Sequence, residues 1–150
     1  MPIAGVEIED VHVHTLCRSD DEDPGELARY DRVDNNTDFK DIFEDNAAYF
    51  FRNDLPAELG KGYQNSHWDA KTIRLGEFKY RSTIVWPVAK PRPFGPHERE
   101  RREIIGFLCV DSIETNTFNE TYDVPIGMAF SGMLHVALSR FRARRIGLES

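Results

Sequence analysis

Two cysteines in 150 residues, Cys17 and Cys109, are too few and too far apart for a disulfide framework or a thiolate metal cluster. No apolar run reaches the ~20 residues of a membrane helix, so no membrane contact is expected. The opening decapeptide MPIAGVEIED lacks the basic and apolar regions of a signal peptide, which makes the cytoplasm the expected location, with reduced thiols. Basic side chains are in deficit, 19 against 26 acidic ones, for a net charge of −7. That balance argues against nucleic-acid binding by the whole surface. Internal repeats and low-complexity linkers are also lacking.

What is there describes one folded domain spanning residues 1–150. Hydrophobic residues make up 40% and charged residues 30%, a soluble, globular composition. Residues 10–17, DVHVHTLC, alternate with the period of a strand, and ELARYDRV alternates again after the charged loop RSDDEDPG. Together they predict a hairpin over 10–33. Thr37 suits the N-cap of a helix over DFKDIFED. A short strand at AYFF precedes a long polar segment, 53–79, with at most one helical turn near Pro56. The β-branched and aromatic stretch YRSTIVWPVA (80–89) and the apolar stretch EIIGFLCVD (103–111) predict adjacent antiparallel strands in the middle of a sheet, joined by the proline-rich loop KPRPFGPHERERR. DVPIGMAFSGMLHVALSRFRARR predicts an amphipathic helix over 124–145, with Ile126, Phe130, Met133, Leu134, Ala137 and Phe141 on its core-facing stripe. The expected fold class is α+β: a single, mostly antiparallel sheet of five or six strands with helices packed on one face.

The order of YRSTIVWPV, a variable loop, IIGFLCVDS and a long terminal helix resembles the C-terminal half of a GAF domain, and AYFFRNDL resembles the strand entering that family's ligand loops. The resemblance covers roughly residues 37–142. It implies a small-molecule sensor with its ligand held between the sheet and the 53–79 loops. The N-terminal helix usual in the family has no counterpart before residue 10, so the chain is expected to be a piece of a longer protein or a minimal version. Neither the cyclic-nucleotide signature nor a bilin-attachment cysteine is present.

The segment 53–83 mixes aromatic rings with hydrogen-bonding groups, as a pocket requires: apolar walls and a few polar groups that fix orientation. The expected ligand-binding residues are Asn53, Asp54, Tyr63, Asn65, Trp68, Ser82 and Thr83. In the predicted arrangement Tyr63 and Trp68 are walls, and Ser82 and Thr83 form the floor. The bland alternative is a surface loop whose aromatics are pinned to the core, with Trp68 and Trp86 covering the sheet beneath it. Cys109 reads as a buried small hydrophobe rather than a reactive thiol. Asp111 and Ser112 read as caps of the following turn. Gly106 reads as a bulge or a close approach. His12 and His14 share a strand face without a convergent third ligand, so no metal is expected.

The function expected is therefore non-catalytic: a sensory or regulatory domain binding a small molecule, its identity and any cofactor unknown, and signalling through the terminal helix to an effector domain or partner protein. The rivals are a cysteine-dependent reductase on the same fold and a dimerisation domain with a collapsed pocket. A homodimer using the helix 124–145 is expected, because Met128, Val136 and Leu138 widen its apolar stripe beyond what one sheet can cover.

Overall fold

A computed structural model describes residues 7–16, 30–91 and 102–148. The loop RSDDEDPG, residue Cys17 and the centre of the proline-rich loop lie outside the described residues.

The expected hairpin forms: β1 (His12–His14) pairs antiparallel with β2 (Tyr30–Arg32), His12 opposite Arg32. The two arms are joined once more where Val33 N donates to the Val11 carbonyl at 3.0 Å. A second, separate sheet holds β3 (Phe50–Arg52), β4 (Ser82–Ala89) and β5 (Ile104–Ser112) in the order β3-β4-β5, antiparallel throughout. The single sheet of five or six strands is thus replaced by two small sheets, of two and three strands. The reason lies in the hairpin's side chains. Its alternation exposes His12, His14, Tyr30 and Arg32 and leaves only Val13 and Asp31 half-buried, so it offers no apolar face to extend a core.

The loss of those strands changes the status of β5. It pairs with β4 over nearly its whole length, as expected, but it is an edge strand, half-buried through Leu108 and exposed from Cys109 to Asp111. The strand in the middle is β4, buried at all eight residues. Pro87 lies beyond the last β3 pair, at Val85, where β4 is itself an edge on that side; this is where a sheet tolerates a missing N–H. Opposite Val88 and Ala89 the register shifts, Gly106 facing Val88 and Ile104 facing Ala89, so Gly106 adjoins a bulge.

Helices cover both faces of this sheet rather than one. α1 (Thr37–Asp45) presents Ile42 and Phe39 to Phe50, Val85 and Phe107, with the Phe39 and Phe107 rings stacked 4.5 Å apart. Its N-cap is Asn36, not Thr37. Thr37 Oγ1 instead accepts a hydrogen bond from Gln64 N at 2.8 Å, and Asn36 Oδ1 accepts from Ser66 N at 3.0 Å, so the helix start is stitched to the 63–68 segment. α2 (Ala70–Leu75) adds a helix to the segment expected to be polar loop, although its signals are plain: Asp69 Oδ1 accepts from Thr72 N at 2.6 Å, and Gly76 closes the helix in the left-handed region at φ 67°.

α3 (Glu120–Leu148) crosses the opposite face. It starts before residue 124 because Asn119 and Asp123 cap it reciprocally: Asn119 Oδ1 accepts from Thr121 N, and Asp123 Oδ2 accepts from Asn119 N. Its contact with the sheet is close. Trp86 Nε1 donates to the Val124 carbonyl at 3.1 Å and Ser131 Oγ to the Pro87 carbonyl at 2.5 Å. A Cβ on Gly127 would lie 2.1 Å from the Trp86 ring, so only glycine fits there. The buried side of α3 is consequently Val124, Gly127 and Ser131, while the stripe expected to face the core points outward, with Ile126, Phe130, Met133, Leu134 and Phe141 exposed. By length and composition α3 is also apolar enough to cross a membrane, against expectation; one such helix is weak evidence of insertion.

Candidate functional site

The pleat of β4 sorts the expected site residues. Thr83 and Val85 point to the α1 side, whereas Ile84 and Trp86 pack toward α3. Trp86 and Trp68 therefore lie in different layers rather than covering one face together.

Four of the seven expected residues converge on the α1 side. Tyr63 packs on Phe50 and Trp68, with ring centroids 6.2 and 4.9 Å away, and Trp68 packs on Phe78 at 4.8 Å. Asn65 is buried among these rings; its amide donates to the Tyr63 hydroxyl at 3.3 Å and to the Tyr80 hydroxyl, and its Oδ1 accepts from His67 N at 2.9 Å. Both phenols thus accept from one amide, and they are within hydrogen-bonding reach of each other. Thr83, on the floor, donates from Oγ1 to Asp111 Oδ1 at 2.6 Å. The Trp68 indole N–H is buried with no hydrogen-bond partner among the described residues.

The other three serve the framework. Asn53 clasps the loop before α3, donating from Nδ2 to the Phe118 carbonyl at 2.7 Å and accepting from Phe118 N at 3.1 Å. Asp54 Oδ1 accepts from Ala57 N at 3.2 Å, fixing the short 3-10 turn Pro56–Glu58. Ser82, fully buried, donates from Oγ to the Glu114 carbonyl at 2.8 Å.

Two carboxyls join the cluster that sequence reasoning does not place there. Asp38, in the first turn of α1, is buried. Desolvation is the main cause that pushes its pKa up to about 7, and the negative charge of Asp111 adds to it; a hydrogen bond from Phe39 N to Oδ1 at 2.8 Å works the other way. Asp111 faces Thr83 across the β4–β5 ladder. Ser112 caps the turn that follows, its Oγ accepting from Glu114 N at 3.2 Å. Burial raises the pKa of Tyr63 and Tyr80 as well, with Asp38 among the charges that add to both shifts. Cys109, two residues before Asp111 on β5 and opposite Val85, is exposed rather than buried, because β5 is an edge.

The arrangement is a carboxyl pair, one member buried and one at the rim, beside two phenols, a threonine hydroxyl and a wall of aromatic rings. Chemically it suits a nitrogen-bearing group that donates hydrogen bonds or carries positive charge. Among the described residues no group of three or more His, Cys, Asp or Glu side chains is placed to hold a metal ion. A signal for Asp111 is present in the sequence: once 80–89 and 103–111 are read as a hairpin, a carboxylate ending one strand falls near Ser82-Thr83 beginning the other. No local signal marks Asp38, since an aspartate in a first helical turn is ordinarily a solvated one. No family model, curated protein or solved structure matches the chain.

Proposed function

We propose that the protein is a non-catalytic sensory module, cytoplasmic, which binds a small molecule bearing a cationic or N–H-donating nitrogen on the α1 side of the β3-β4-β5 sheet. One observation carries the reading: the Asp38 carboxyl is buried near Asp111, beside the phenols of Tyr63 and Tyr80, where its ionisation is costly. A donor or cation from a ligand offsets that cost. The unpartnered Trp68 N–H adds a second requirement, an acceptor elsewhere on the same ligand, since a buried donor is costly until an acceptor arrives. The sequence resemblance of residues 37–142 to a GAF domain is a further support, although the two separate sheets depart from the single sheet it implies.

In this proposal β4 is the relay. Thr83 and Val85 line the ligand side, and Ile84 and Trp86 carry α3, so a shift of the strand is felt by the helix that would pass the signal to an effector. A collapsed scaffold is the second reading, favoured by the run of rings Phe50, Tyr63, Trp68 and Phe78 packed directly on one another.

A thermal-shift screen of small metabolites at pH 5.5 and pH 8 separates the two. The sensor reading expects amine, guanidine or N–H-rich heterocycle hits whose stabilisation grows with pH as Asp38 ionises, and whose effect Asp38→Asn removes. A panel without hits, or hits indifferent to pH and to Asp38→Asn, leaves the scaffold reading in its place.

A further inference from the structure

The orientation of α3 is the reverse of what a core helix needs. Small and polar residues, Gly127 and Ser131, lie against the sheet, while the large apolar ones face outward. Tyr122 is 69% exposed, Ile126 57%, Phe130 54%, Met133 58% and Phe141 61%, with Met128, Leu134 and Val136 also exposed. The stripe runs from residue 122 to 141, about 30 Å at ~1.5 Å per residue. With about 150–250 Å² per aromatic side chain, the exposed parts of Tyr122, Phe130 and Phe141 amount to roughly 350 Å². Ile126, Met133 and Leu134, on the same side of the helix, bring the stripe to roughly 600–700 Å², the lower part of the range that each partner contributes to a stable protein interface.

We infer that this stripe is the interface of a homodimer in which the two α3 helices pack antiparallel. Charge decides the direction. The start of α3 carries Glu120 and Asp123, and its exposed end carries Arg140, Arg142 and Arg144. A parallel pair sets the arginines of one copy beside those of the other. An antiparallel pair, with its two-fold axis level with residues 131–132, brings Asp123 level with Arg140 of the second copy, while Glu120 is turned toward the sheet, its Oε1 accepting from the Tyr49 hydroxyl at 2.8 Å. The same register sets Ile126 level with Ala137 and Phe130 level with Met133, so the apolar stripe matches itself end to end.

A lipid bilayer is a poorer occupant. A span of the ~30 Å hydrocarbon core would have to reach beyond the charge-free run Val124–Ser139, about 24 Å long at ~1.5 Å per residue, and take in Asp123 or Arg140. One side of the helix is moreover committed to the sheet through Trp86 and Ser131. The dimer does not depend on the ligand proposed above.

The test is sedimentation of the full chain without detergent, from low to high micromolar concentration, with flotation on phosphatidylcholine–phosphatidylglycerol vesicles in parallel. The expected result is a dimer that does not float, and a dissociation constant raised about 30-fold or more by Phe130→Glu or Met133→Glu. Both positions are exposed in the monomer, so circular dichroism and the folded fraction should stay as in the wild type. Direction is read by oxidative cross-linking in a Cys17→Ser, Cys109→Ser background. Antiparallel packing joins Ile126→Cys of one copy to Ala137→Cys of a differently tagged copy; parallel packing joins Ile126→Cys to itself. A strict monomer at high concentration overturns the dimer, as does a chain that is monomeric in buffer and floats with vesicles. Self-joining at position 126 overturns the antiparallel arrangement.

Discussion

The two faces of the β3-β4-β5 sheet are built on opposite plans, although they share every strand. On the α3 face, Ile84, Trp86 and Val124 form a dry contact with Tyr49, Phe51, Leu108 and Phe118 around it, and a missing Cβ at Gly127 lets the helix backbone settle on an indole. On the α1 face an apolar base of Ile42, Phe50 and Val85 grades into Asp38, Tyr63, Asn65, Tyr80, Thr83 and Asp111. The first face is arranged for packing and the second holds ionisable groups at a cost. A strand's alternation makes such a division possible: neighbouring residues Thr83 and Ile84 belong to different chemistries because their side chains leave the strand in opposite directions.

The largest expected effect attacks the packed face. Trp86→Ala removes a buried ring and its bond to the Val124 carbonyl, and should cost about 3–5 kcal/mol in urea unfolding. A loss below about 1 kcal/mol would mean that α3 does not rest on the sheet here. The next effect has the opposite sign and belongs to the polar face. Asp38 has a folded pKa raised from 3.8 to about 7, so its penalty is absent below pH 3.8, grows as pH rises through that window and is complete above pH 7. Asp38→Asn keeps an acceptor for Phe39 N and removes the penalty. It should stabilise the protein at pH 8 by a few kcal/mol at most, with the gain vanishing near pH 4. Equal gains at both pH values would show that charge is not the cause.

Gly127→Ala should destabilise by about 1–3 kcal/mol, because the added methyl meets the Trp86 ring and one of the two layers must move. Pairing it with Trp86→Ala sharpens the comparison: in that background the cost of Gly127→Ala should fall to near zero or reverse, as read by a double-mutant cycle. The smallest effect belongs to neither face. Asp69→Ala loses the cap of α2 and should cost about 1 kcal/mol in thermal unfolding.

Much of the framework is legible in the sequence. The β4–β5 pair, the hairpin, α1, the turn at Pro56 and the terminal helix follow from periodicity and turn residues, which are local properties. What stays hidden depends on what sits beside each element. Cys109 reads as buried if β5 has neighbours on both sides, yet β5 is an edge because the hairpin keeps to itself. The stripe on α3 reads as core-facing by hydrophobicity alone; steric fit at Gly127 and the Ser131–Pro87 hydrogen bond turn the helix the other way. In the candidate site, composition points to Tyr63, Asn65, Trp68 and Thr83. It does not point to Asp38, because the burial of that residue arises from a segment some thirty residues downstream that ties down the start of α1.

The complete burial of β4 bears on how the molecule breathes. Its eight residues are covered on both faces and paired to β5 along almost their whole length, so its amides can exchange with solvent only when the sheet itself opens. Pro87 contributes no amide, which leaves a short set of slow protons at Thr83, Ile84, Val85, Trp86 and Val88. Any occupant of either face holds that same opening shut. Deuterium uptake at these few positions would therefore register the proposed ligand on the α1 side and the proposed partner on α3 alike, although neither touches the other.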